Sequence, residues 1–306
     1  MKNCRRSQVL SCFILFLVLI VASSVLAQEK IDRILKELRE PSGKVVLVVS
    51  HRGDWRNFPE NTIEAINGAV EIGADIVEID VQKTKDGHFV LMHDATVDRM
   101  TNGKGKVADL TLEEIKKLKL RNGIGHATQY RVPTLREALT AGKGRVMFNL
   151  DKVGSDRLDD VYAMAREIGV EHQIIFKSGE RYEKVRPILE KAPKALFMPI
   201  VSLDRKDTLE KIEEYEKNLK PFAYEFIPNT EPSEHLDRIK VMGKAGTHIW
   251  INSLWDSLCL GHCDDKAVDD PDANWGWILD QGATMIQTDR PARLIKYLEA
   301  KNRRWE

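Results

Sequence analysis

Five short motifs follow one another early in this chain: His51-Arg52-Gly53, Pro59-Glu60-Asn61-Thr62, Glu78-Ile79-Asp80, Asp86-Gly87 and His93-Asp94. Their histidines, arginine and alternating carboxylates are the equipment for cutting a phosphodiester beside a divalent cation. That reaction needs charge neutralised on the phosphoryl oxygens, a nucleophile activated and a leaving alkoxide protonated. His51 and His93 are the candidates for acid and base, since imidazole gives and takes a proton near neutral pH. Arg52 can grip two phosphoryl oxygens at once. Glu60 either orients that guanidinium or opens the following helix as a favourable N-terminal acid.

Glu78 and Asp80 stand two apart on a strand, so both side chains point to one side of the sheet. Buried carboxylates are costly unless they are paired with cations or bound to metal, and both alternatives stay open for this pair. Asp151 closes an apolar run at Arg145–Leu150 and would bring a third carboxylate to the same rim. An all-oxygen set favours one hard cation, Mg²⁺ or Ca²⁺, over zinc. Lys152 would add positive charge at a bound phosphate. Neighbours on a strand point oppositely, so Asp151 and Lys152 both reach in only if the strand has already ended. Asn61 and Thr62 read as helix-start residues, and the remaining histidines lack comparable company.

The elements that must deliver these groups alternate along the chain. Apolar strand-like runs at Val45–Ser50, Asp75–Gln82, Arg145–Leu150, Gln173–Lys177, Ala195–Pro199, Phe222–Phe226, Thr247–Ile251 and Met285–Gln287 are separated by amphipathic helical patterns. These include Glu60–Ile72, Thr134–Ala141, Asp156–Ile168, Arg181–Glu190, Thr208–Asn218, Ser233–Lys244, Trp275–Gln281 and Pro291–Ala300. Eight strands each followed by a helix predict an α/β fold, a (β/α)8 TIM-type barrel, with an open doubly wound sheet as the alternative. Phe89–His93 reads as a short extended run after the second strand. Residues 97–131 interrupt the alternation between the second strand and its helix, with a capping box at Thr111 and Glu114 opening a helix inside them. An insertion there lies on the face where barrel sites form, and is expected to cover part of the site.

Residues 1–27 read as a cleaved export signal: Lys2, Arg5 and Arg6, an apolar core from Val9 to Val21, and small residues before Gln28. Residues 28–306 then form a single domain, exported and periplasmic. Removing the leader takes three basic and no acidic residues from a chain with 47 of each sign, leaving a net charge of about −3. Such a surface gives no reason to expect nucleic acid. No amphipathic membrane-surface helix is read after the leader, so no stable membrane insertion is expected. Cys259 and Cys263 remain, either disulfide-bonded or as two free thiols, and no second cysteine pair exists for a structural zinc site. The acidic run Asp264–Asp272 reads as solvated surface.

The five motifs, with Arg99-x-Thr101-x-Gly103-x-Gly105 and the late Thr288-Asp289-x-Pro291, resemble the glycerophosphodiester phosphodiesterase family in order and spacing. The resemblance implies an α/β barrel in which His51 and His93 are general acid and base. It also implies that Glu78 and Asp80 hold a metal and that Arg52 binds phosphate. The reaction implied releases an alcohol and sn-glycerol 3-phosphate from a small-molecule glycerophosphodiester. Trp55, Tyr224, Trp250 and Trp255 are aromatic candidates for the substrate pocket, with core packing the alternative for each. The chain departs from the family where a glutamate and a lysine two residues on usually follow the third strand: Asn149-Leu150-Asp151-Lys152 stands there. The shorter arm of Asp151 would shift or loosen a metal, and the lysine's role is put in doubt. Other readings are a related barrel phosphodiesterase acting on inositol or choline lipid head groups, and a protein that binds glycerophosphodiesters without cutting them.

Overall fold

The computed structural model describes residues 29–154, 156–229 and 235–305; the expected leader at 1–27 lies outside them. Eight parallel strands close on themselves: β1 (Leu47–Ser50), β2 (Ile76–Lys83), β6 (Met147–Asp151), β7 (Ile174–Ser178), β8 (Leu196–Ser202), β9 (Ala223–Ile227), β10 (His248–Asn252) and β11 (Met285–Thr288). Closure comes from β1, which pairs with β11 on one side and β2 on the other. Helices lie between successive strands, among them α2 (Ile63–Ile72), α4 (Leu135–Gly142), α5 (Leu158–Ile168) and α7 (Thr208–Asn218), and α10 (Pro291–Ala300) follows the last strand. The TIM-type barrel expected from the alternation is the fold. Strands covered on both faces bury nearly every residue, which is why they read as continuous apolar runs.

Two cores result. Val46, Val48, Val77, Ile79, Phe148 and Leu150 point outward and pack with the helices. Leu47, Val49, Ile76, Met147, Ile175, Met198, Ala223, Trp250 and Met285 point inward. They share their cluster with Ile31, Ile34, Leu35 and Leu38 of a helix at residues 29–39, α1. Most of these inward residues begin their strands or nearly so, so α1 plugs the barrel's N-terminal end. This helix is not among the expected elements, although the i, i+3, i+4, i+7 spacing of its apolar residues is a helical signature. Its apolar face is spent on the barrel rather than on a membrane surface. Among the described residues no helix is long and apolar enough to cross a membrane.

Residues 97–131 build a small subdomain with its own core of Val97, Met100, Val107, Ile115 and Leu120, joined by Val90 and Met92. The extended run after β2 becomes β3 (Phe89–Leu91), antiparallel to β2. The capping box at Thr111 and Glu114 forms at the start of α3 (Leu112–Lys117). Beyond it, β4 (Lys119–Arg121) and β5 (Ala127–Arg131) make a hairpin.

Helix α2 starts later than its pattern predicts, at Ile63 behind a Thr62 cap that accepts from the Ala65 N–H. Glu60 and Asn61 are thereby left outside the helix. Cys259 and Cys263 are free, buried thiols.

Candidate functional site

The C-terminal strand ends gather the chemistry. In the β2–β6 pairing Glu78 lies opposite Asn149 and Asp80 opposite Asp151. Carboxylate oxygens of Glu78, Asp80 and Asp151 all fall within 4.8 Å of one another. Burial, then the charge of Asp80, holds the Glu78 carboxyl well above its ordinary range. Asp151 is drawn the other way: burial would raise it, but the Lys177 ammonium and the Lys152 backbone N–H outweigh that and hold it low. Asp80 Oδ1 is buried and accepts no hydrogen bond. Three crowded acidic oxygens, one of them without a donor, fit a hard divalent cation.

Three residues with left-handed backbones converge on Asp80: Arg52 (φ 53°), Asn61 (φ 60°) and Lys152 (φ 60°). Asn61 donates to Asp80 Oδ2 at 2.8 Å and accepts its backbone N–H at 2.9 Å. Arg52 Nε lies 3.5 Å from Oδ2, and Lys152 Nζ 3.7 Å from Oδ1. Such conformations cost about 1 kcal/mol or more each in non-glycine residues and collect at functional sites. The turn at Lys152 also answers the geometric condition on the sequence. β6 ends at Asp151, the backbone reverses, and both side chains reach the rim. Asn61 was passed over because a residue before a helix reads as local; no spacing rule connects it to Asp80.

Each expected histidine is held by a carboxylate through Nδ1. His51 meets Asp289 Oδ1 at 2.7 Å and His93 meets Asp94 Oδ1 at 2.6 Å. Nδ1 then carries the proton toward the carboxylate, leaving each Nε2 for chemistry. Burial would raise Asp289, but the hydrogen bond from His51 outweighs it and keeps the carboxyl below its ordinary range. Trp55 Nε1 donates to the same oxygen at 2.6 Å. Behind Asp289, its backbone N–H donates to Asp264 Oδ2 at 2.6 Å, while Ser253, Trp275 and Thr288 donate to Asp264 Oδ1. Asp264 is 1 % exposed, which corrects its reading as part of a solvated run. The acidic density around it masked a residue whose neighbours come from three other segments.

Glu60 is the hub of the opposite wall. It accepts from Arg52 at 3.0 Å and from both terminal nitrogens of Arg99, at 2.7 and 2.9 Å. Of its two expected roles, the guanidinium-orienting one matches this placement. Arg99 also donates to Asp94 at 2.8 and 3.0 Å, which completes a chain from Arg52 to His93. The guanidinium of Arg99 holds Asp94 far below the usual carboxylate range.

A cavity of about 360 Å³ is lined by His51, Arg52, Trp55, Glu60, Arg99 and Trp255, together with Arg121 to Gly123 of the β4–β5 hairpin. Trp255 is half exposed, its ring centroid 6.3 Å from that of His51. Trp250 is a correction: it is fully buried inside the barrel, with no surface to offer a ligand. Tyr224 likewise packs against Phe226 outside the barrel and donates to Glu216 at 2.7 Å. A larger cavity, about 690 Å³, opens beyond β7 and β8, but it holds neither histidine, and its Arg181 and Lys211 are tied to Glu210 and the Ile200 carbonyl. Chemistry, not size, locates the site.

Fold and site together define an α/β-barrel protein with a carboxylate–histidine centre on its C-terminal rim. Residues 51–186 match the glycerophosphoryl diester phosphodiesterase family, and 197–298 match a domain of unknown function. A glycerophosphodiester phosphodiesterase from Caldanaerobacter subterraneus is 42 % identical over 156 residues, 48 % of this chain and 63 % of its own. This chain thus spans less than two-thirds of that relative's length. The crystal structure of a glycerophosphoryl diester phosphodiesterase from Parabacteroides distasonis superposes with a TM-score of 0.72 and 25 % identity, covering 89 % of this chain and 92 % of that one. An Oleispira antarctica phosphodiesterase, solved in complex with the product sn-glycerol-3-phosphate, gives 0.63 at 20 % identity, covering 83 % and 97 %. At that identity the likeness speaks for the fold. Residues 51–186 are thus similar to the glycerophosphoryl diester phosphodiesterase family, and the barrel as a whole superposes on solved members of it.

Proposed function

We propose that this protein is a metal-dependent hydrolase that cleaves glycerophosphodiesters to an alcohol and sn-glycerol 3-phosphate. The observation that carries the reading is the placement of two imidazoles, each Nδ1 bound to its own carboxylate, at strand ends beside a three-carboxylate cluster. The match of residues 51–186 to the glycerophosphoryl diester phosphodiesterase family supports it, as does the product held by the Oleispira enzyme on the same fold.

Glu78, Asp80 and Asp151 would hold one cation, Mg²⁺ or Ca²⁺. When bound, it supplies positive charge to the phosphoryl oxygens and fixes the diester's orientation. Arg52, splinted by Glu60, adds a donor fork to the same oxygens, and Lys152 contributes a point charge. One histidine takes the proton of the attacking hydroxyl through Nε2, and the other gives one to the leaving alkoxide. The first hydroxyl to attack is the glycerol hydroxyl beside the phosphate, with water opening the resulting cyclic diester. Asp289 and Asp94 hold each Nδ1–H, which leaves the base's Nε2 bare to accept a proton and stabilises the acid as an imidazolium that carries the Nε2 proton it gives. Trp55 and Trp255 flank the cavity that takes the organic part of the substrate. The chain would work after export, as one barrel unit freed of its leader.

The test is release of glycerol 3-phosphate from a panel of glycerophosphodiesters (choline, ethanolamine, glycerol, inositol), with chelator and with Mg²⁺ or Ca²⁺ restored. Release that stops with chelator and returns with a cation supports the reading. Tight binding of the whole panel without turnover would make this a capture protein instead.

A further inference from the structure

Lys177 is the charged group that no motif announced. It lies on β7 inside the barrel, its side chain 4 % exposed, with Nζ 3.2 Å from Glu225 Oε2 and 3.7 Å from Asp151 Oδ2. A relay fixes it there. Glu225 Oε1 accepts from Asn252 Nδ2 at 2.8 Å, and Asn252 Oδ1 accepts from Trp250 Nε1 at 2.7 Å. The ammonium also sits 5.8 Å from the Trp250 ring centroid. Trp250, buried away from substrate, is therefore an anchor of this relay. A lysine held by two carboxylates and a packed indole cannot swing out to solvent.

What Lys177 does follows from counting oxygens. Glu78 Oε2 accepts the Arg52 backbone N–H at 3.1 Å, and Asp80 Oδ2 accepts from Asn61 at 2.8 Å. Asp151 Oδ1 accepts the Lys152 N–H at 2.7 Å, and Oδ2 faces Lys177. Each carboxylate of the cluster thus has one oxygen that accepts a protein hydrogen bond, and the other oxygens of Asp80 and Asp151 each face an ammonium 3.7 Å away. Each can offer a single oxygen, and none is set up to embrace an ion with two. Ca²⁺ takes about 6–8 oxygens and uses two-oxygen carboxylate grips, whereas Mg²⁺ takes six ligands and keeps several waters.

We propose that Lys177 is a specificity-determining positioning residue, which biases the carboxylate centre toward Mg²⁺ over Ca²⁺ by occupying Asp151 Oδ2. This rests on the reading of Glu78, Asp80 and Asp151 as cation ligands. Removing Lys177 takes the ammonium from Asp151 Oδ2, so that this oxygen can turn to the ion beside Oδ1. It also deletes a positive charge, which tightens both cations alike, so the ratio of the two dissociation constants is the informative quantity.

The experiment is calorimetric titration of the metal-free, substrate-free full chain with Mg²⁺ and with Ca²⁺ separately. Lys177→Met leaves Glu225 unpaired, so the main variant is Lys177→Met with Glu225→Gln, whose amide oxygen still accepts from Asn252. Wild type is expected to bind Mg²⁺ more tightly. The double variant should shift the ratio toward Ca²⁺ by about tenfold or more, and Lys177→Arg should keep the wild-type ratio. A folded double variant with an unchanged ratio, or a wild type that prefers Ca²⁺, overturns the proposal. Wild-type chain that binds neither cation overturns the metal reading, and this inference with it.

Discussion

His51 follows the first barrel strand and Asp289 the last, yet the imidazole Nδ1 and the carboxylate Oδ1 are 2.7 Å apart. The contact exists because β1 and β11 are hydrogen-bonded neighbours, with Ser50 opposite Thr288. One of the two imidazoles is therefore set up by closure of the barrel, while the other takes its carboxylate from the next residue along.

His51→Ala and His93→Ala are each expected to lower kcat on a glycerophosphodiester by about 10²–10⁴-fold, the usual worth of a positioned acid or base. Thermal midpoints should stay near wild type. Near-normal rates in either variant would remove that histidine from proton transfer.

Asp264 makes a prediction about pH. Burial raises its carboxyl to about 6, against four hydrogen bonds that favour the anion. A carboxyl raised in the fold contributes stability that is fully present below its unfolded value, near 3.9, and lost as pH rises through about 6. Denaturant titrations of wild type and Asp264→Asn between pH 4 and 8 should show a wild-type loss across that window that the variant lacks. The variant's amide would also turn an N–H toward the Asp289 backbone N–H, so its activity should fall although Asp264 lies behind Asp289. Parallel stability curves for the two proteins would refute the assignment.

Glu60→Gln should act mainly on substrate binding. Glu60 accepts from both Arg52 and Arg99, and a neutral amide splints two guanidiniums poorly. A rise in KM of about tenfold, with a smaller change in kcat, is expected from steady-state kinetics. The reverse split would point to the His93 side of the network instead.

Gly53→Ala tests the backbone beneath the site. Gly53 has φ +74°, and a Cβ there would meet the Ala65 carbonyl carbon and oxygen at 2.7 Å. Strain plus collision with a helix backbone should cost on the order of 2–3 kcal/mol, read as a lowered midpoint in chemical denaturation. An unchanged midpoint would mean that α2 moves aside freely.

Much of this protein is local, and what is local was legible. The eight apolar runs declare strands buried on both faces, the intervening helical patterns imply crossovers, and a period of two places Glu78 and Asp80 on one side. His51 and His93 stand out because each closes such a run beside acidic company. The residues that escaped notice share one property: their partners are remote in sequence. Asn61 matters through Asp80, Lys177 through Asp151 and Glu225, and Asp264 through Ser253, Trp275 and Thr288. Trp250 misled for the same reason, since an indole near a strand end reads alike whether it lines a pocket or anchors a core. Side-chain type and spacing thus determined the elements and the kind of chemistry. Only the closed barrel decided which distant groups meet, because hydrogen-bonded closure and register, not sequence separation, bring side chains within a few ångströms of each other.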